Sequence, residues 1–123
     1  MSKEKFSYFV SYLKDAFDQS VVWHHQTESY AEHKALGKFY EQIVGLTDGL
    51  VESVSGIYER PTRYQLDSPT DYKNHEQVVK YFKSVYNMIQ KEREDIYKET
   101  WVQNQVDEIA QLLAETLYLL TLK

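Results

Sequence analysis

Three of the four histidines, His24, His25 and His33, fall within ten residues, and an acidic pair, Asp48 and Glu52, follows at a spacing of four. Imidazole nitrogen and carboxylate oxygen together form a donor set suited to iron and similar divalent cations. Residues four apart share a helix face, so Asp48 and Glu52 can reach one ion. Adjacent His24 and His25 point about 100° apart on a helix, so only one of them serves a given site. Each half has an ordinary alternative: a histidine near a helix C-terminus suits the dipole, and acidic pairs are frequent on solvated faces. The spacing adds a condition. His33 lies 15 residues before Asp48, roughly 22 Å along a helix at ~1.5 Å per residue. The two halves therefore meet only across a two-fold axis that lays two such helices antiparallel.

Several other motifs are absent from the sequence, and nothing in it supports a Ser-His-Asp hydrolase. There is no cysteine, which excludes disulfides, thiolate metal sites and thiol nucleophiles and fits a reducing compartment. No phosphate-cradling glycine loop, His-Glu-x-x-His, EF-hand loop or Gly-x-Ser-x-Gly is present. The net charge is −5, with 14 Lys and Arg dispersed among 19 acids. Few phosphates can be neutralised together, so nucleic acid is expected as a weak partner at most. No apolar run approaches the ~18 residues of a membrane span, and the first residues carry no signal-peptide pattern. The expected location is cytoplasmic.

Four elements must position these residues. Phe6, Val10, Leu13, Phe17, Ser20 and His24 recur at spacings of three and four and predict a first helix ending near Thr27. Ser29-Tyr-Ala-Glu32 reads as a capping box opening a second helix, in which Gly37, Gly45 and Gly49 each cost about 1 kcal/mol against alanine. Such a cost is recovered where a helix must leave room beside a neighbour. Pro61 and Pro69 bracket a polar connection from Glu59 to Asn74. A third helix starts after Pro69 or at Asn74 and runs to about Tyr97. Thr100-Trp-Val-Gln103 reads as a second capping box, opening a fourth. Tyr30, Tyr40, Tyr58 and Tyr118 lie at or near the apolar stripes and are expected in the core or an interface. With 42% hydrophobic residues, 123 residues suffice for one domain, residues 1–123. The fold class is all-α, an antiparallel four-helix bundle.

The run Trp23-His-His-Gln-Thr-Glu-Ser-Tyr-Ala-Glu-His33, followed by Asp48 and Glu52, resembles the Dps-like mini-ferritins. It is most similar to a small phage-encoded Dps-like family of unassigned function, as is Gln103-Asn-Gln-Val-Asp-Glu-Ile109. The likeness covers residues 10–58 well and the last two helices as architecture. It implies a ferritin-like bundle and a homo-oligomer built from two-fold dimers. It further implies an iron site between subunits, with His24 and His33 from one and Asp48 and Glu52 from the other, and ferroxidase-like activity. The pattern departs from the family where Gly37 replaces a frequent carboxylate, in a shorter turn between the histidines, and in lacking a Lys-rich tail. A phage structural or protein-interaction bundle with a vestigial metal site, working in the virion, is the competing expectation.

Overall fold

The computed structural model describes residues 2–123, with side chains from Lys3 onward. Its helices are α1 (Ser2–Gln26), α2 (Tyr30–Ile57), α3 (His75–Glu92) and α4 (Thr100–Leu119), and the described residues contain no strand. The apolar stripes read from the sequence form one core: Phe6, Val10 and Leu13 of α1, Leu36, Phe39 and Leu50 of α2, Phe82 and Ile89 of α3, Val106 and Leu113 of α4 are all buried. Phe39 and Phe82 meet edge to face at 4.9 Å across the middle of the bundle, an arrangement that aromatic quadrupoles favour.

Neighbours in space are α1 with α2, α2 with α4, α4 with α3, and α3 with α1. The three-residue turn 27–29 reverses the chain between α1 and α2. At the other end of the molecule, Tyr58 after α2 stacks on Tyr97 before α4 at 3.9 Å. His75, opening α3, sits beside Glu32 in the first turn of α2. Helices α2 and α3 therefore run parallel on a diagonal, and every adjacent pair is antiparallel.

The segment that joins α2 to α3 travels the length of the bundle as a strap along α1. Its backbone N–H groups donate in order to a column of α1 side chains: Thr62 to Ser7 Oγ at 3.1 Å, Gln65 to Ser11 Oγ at 2.9 Å, Asp67 to Asp15 Oδ1 at 2.9 Å and Thr70 to Gln19 Oε1 at 2.9 Å. Gln26 continues the column with Tyr72 N–H at 2.7 Å. An extended segment with no strand partner must satisfy its amides elsewhere. Side chains four apart on one helix face provide that.

Asp15 is the strained rung of this ladder. Partial burial pushes its carboxyl above the ordinary value, and the charges of Asp67 and Asp18 push the same way against the Asp67 N–H bond. A carboxyl raised in the folded state opposes folding once both states are ionised, and that penalty is relieved as pH falls through its folded value. Asp15→Asn keeps an oxygen for the Asp67 amide and removes the charge. Urea midpoints should show the variant more stable than wild type at pH 7, with the difference shrinking towards pH 4. A difference that did not change with pH would mean that it does not arise from the charge of Asp15.

Helix boundaries follow the sequence at three starts. Ser29 caps α2, accepting from Glu32 N–H at 3.2 Å, and Asn74 caps α3, accepting from Gln77 N–H at 2.8 Å. Helix α4 begins at Thr100 as expected, but not through a capping box. Glu99 holds the cap position without a side-chain bond to the helix amides, and Gln103 donates instead to the carbonyls of Arg93 and Tyr97 at 3.1 and 2.9 Å. Those carbonyls are released because α3 stops at Glu92 and tightens into a single 3-10 turn, Arg93–Asp95, short of the expected Tyr97. Arg93 closes the corner with a 2.6 Å bond to Asp107.

Candidate metal centre

The two histidines named from the sequence meet. His24 ends the core-facing stripe of α1, and the short turn lays the start of α2 against it. His24 Nδ1 donates to the His33 carbonyl at 2.7 Å, and His33 Nδ1 donates to the His24 carbonyl at 2.9 Å. The rings stack with centroids 3.7 Å apart and planes within 16°. A carbonyl oxygen can only accept, so each Nδ1 carries the hydrogen. In the neutral ring that leaves each Nε2 as a bare lone pair, the form that ligates a metal.

Gly37 explains how the stack fits. A Cβ there would lie 3.0 Å from His24 Cε1 and 3.2 Å from Nδ1, so the glycine leaves the space that the first ring occupies. Tyr40 closes the other side, edge-on at 5.1 Å. Gly45, by contrast, faces open space. His25 is exposed, its ring centroid 5.8 Å from that of His24 and the ring planes 55° apart.

Asp48 and Glu52 are exposed on α2, one turn apart. Asp48 borders a depression of about 340 Å³ with Lys14, Val44 and Leu66. They do not join the histidines within the chain, as their distance along α2 requires. Among the described residues, no three His, Asp or Glu side chains gather as a metal cluster.

The sequence reading missed a polar centre behind His33. Glu32 is only 2% exposed. Its carboxylate accepts from Thr27 Oγ1 at 2.7 Å and from His75 Nδ1 at 2.6 Å. The Tyr72 phenol is pushed up first by burial and then by its bond to the same carboxylate. Glu32 therefore does not complete the capping box, since Ser29 N–H turns to Thr27 Oγ1 at 3.1 Å. The only advance signal was Thr27 two residues before the cap. His75 comes from 43 positions away.

Of the four tyrosines expected in the core or an interface, Tyr40 is half-buried, whereas Tyr30, Tyr58 and Tyr118 are exposed in the single chain. The Tyr58 hydroxyl bonds Glu99. Trp23, beside His24, is fully buried against the Tyr81 ring at 5.2 Å and is a packing residue.

The model of a family described as "Family of unknown function (DUF5856)" matches residues 24–120. The chain belongs to DUF5856. The match begins at His24 and takes in both histidines, the acidic pair, the strap and all of α4, leaving most of α1 outside. No curated protein and no solved structure matches this DUF5856 chain. No helix among the described residues is long and apolar enough to cross a membrane.

Proposed function

We propose that this DUF5856 protein is a Dps-like, ferritin-like oligomer that binds ferrous iron as substrate and oxidises or sequesters it at sites shared across two-fold interfaces. The observation that carries this reading is the stacked pair His24–His33, whose carbonyl-bound Nδ1 atoms leave both Nε2 lone pairs free. Asp48 and Glu52, exposed on the same helix as His33, are the anionic half. An antiparallel pairing of two α2 helices that sets His33 opposite Asp48 or Glu52 of the partner subunit puts the axis within residues 40–43. Val44 and Leu66, 42% and 52% exposed, give apolar surface for a partner to cover. The single long crossover between α2 and α3 is the connectivity of ferritin-like bundles.

In this reading the imidazoles orient the ion and the carboxylates neutralise its charge. Two ferrous ions supply the two electrons that, with two protons, reduce one peroxide to two waters. The protein would be phage-encoded and act in the host cytoplasm, where the absence of cysteine suits a reducing environment.

Ferrous iron added aerobically should be oxidised faster with protein than in buffer. Asp48→Ala or Glu52→Ala should abolish the acceleration, because two imidazoles alone hold a hard cation poorly. A monomeric mass with no metal-dependent association would remove the shared site. Protein that dimerises yet neither binds iron nor speeds its oxidation would leave the phage structural or protein-interaction bundle.

A further inference from the structure

The chain is acidic overall, yet one concavity is lined by cations. Between the first turns of α2 and the end of α4 lies a groove of about 630 Å³ into which Lys34, Lys38 and Lys123 face, with Glu41 the single acidic side chain lining it. None of the three lysines forms an ion pair among the described residues. Unpaired ammonium groups gathered in one concavity of a protein with net charge −5 make a local positive field that the bulk charge does not predict.

The floor is apolar. Ala31 and Ala35 of α2 face Leu119 and Leu122, and the Tyr30 ring forms a wall with Lys34 Nζ 5.9 Å from its centroid. The groove lies at the first turns of this 28-residue helix. Ser29 satisfies the N–H groups of Glu32 and His33, and the helix dipole favours negative charge at the same end.

We propose that this groove binds an organic phosphate, its dianionic head held by Lys34, Lys38 and Lys123 and its apolar body lying on Leu119 and Leu122. The volume lies in the range of small-molecule sites. Lysine is a point-charge partner suited to phosphate, and three of them suit a dianion better than a single carboxylate. His24, His33 and Gly37 also line this groove, so it adjoins the histidine pair proposed to hold iron, and its binding is tested on metal-free protein.

The test uses metal-free full-length protein in chelator, titrated with phenyl phosphate, inorganic phosphate and benzoate by calorimetry. Phenyl phosphate should bind saturably and more tightly than the other two. The double variant Lys34→Gln, Lys38→Gln should weaken it by about tenfold or more through lost charge-assisted bonds. Leu122→Ser should weaken phenyl phosphate and leave inorganic phosphate unchanged. All three substituted residues are exposed, so the fold should persist, as circular dichroism would verify. Absence of saturation, indifference to the lysine changes, or benzoate binding as tightly as phenyl phosphate would overturn the proposal.

Discussion

Replacing Glu32 with alanine should destabilise the folded chain by about 3 kcal/mol, the upper end of what hydrogen bonds to a charged group contribute. The carboxylate is almost wholly buried and accepts from Thr27 and His75 on different segments, so it ties the α1–α2 turn to the start of α3. Its loss leaves the donors with no acceptor and a space the surrounding backbone fills poorly. His75→Ala should cost less, about 1 kcal/mol, because the imidazole is half-exposed and water can replace part of what it gave. Glu76→Ala, next to it and exposed, should stay within about 0.5 kcal/mol. Urea midpoints at constant slope would rank the three. If Glu32→Ala proved no worse than Glu76→Ala, the buried carboxylate would not be what holds these segments together.

Gly37→Leu should cost the chain its histidine pair. The His24 ring is held by its bond to the His33 carbonyl, by the stack and by Tyr40, and the new Cβ alone comes within 3.0 Å of it. A leucine adds three carbons beyond that close contact, on a helix face that the ring already borders. Helix propensity favours the substitution by about 1 kcal/mol, but overpacking costs about 1–3 kcal/mol, so net stability should fall modestly. Divalent-metal affinity should fall about 10- to 100-fold, as when a ligand loses its orienting partner. The His24 and His33 ring resonances should lose the mutual shielding that stacking produces. Unchanged resonances and unchanged affinity would show that Gly37 is not there to make room. The smaller Gly37→Ala sets the propensity gain against a contact that a slight ring shift can relieve, and should sit near wild type in stability.

The bundle was legible because periodicity is local: the alternating spacings from Phe6 to His24 define a buried face with no knowledge of what it packs against. The same pattern put His24 at the core edge. What it could not supply was the mutual grip of His24 and His33, since that depends on the turn bringing two carbonyls within reach of two rings. Glu32 and Gln103 were both read as capping residues from proper local spacing. Each was claimed by acceptors or donors that only the folded chain assembles: His75 from 43 positions away, and the carbonyls freed where α3 tightens. The strap's route was partly written in α1. Ser7, Ser11, Asp15 and Gln19 form a column of polar side chains at intervals of four, and Ser7, Ser11 and Gln19 are buried. That column had no apolar role and was waiting for amides.

The strap also sets the order in which the molecule can assemble. Helices α1 and α2 are joined by three residues, and α3 and α4 by a short corner, so each hairpin can form with little loop-closure entropy to overcome. The rungs from Ser7–Thr62 to Gln26–Tyr72 join residues 55 to 46 positions apart and can close only after α2 has folded back along α1. Contacts made late weigh little on the rate of folding and heavily on the rate of unfolding. The column of side chains on α1 thus acts as a latch: it leaves the speed at which the native state is reached almost untouched and lengthens the time for which it persists.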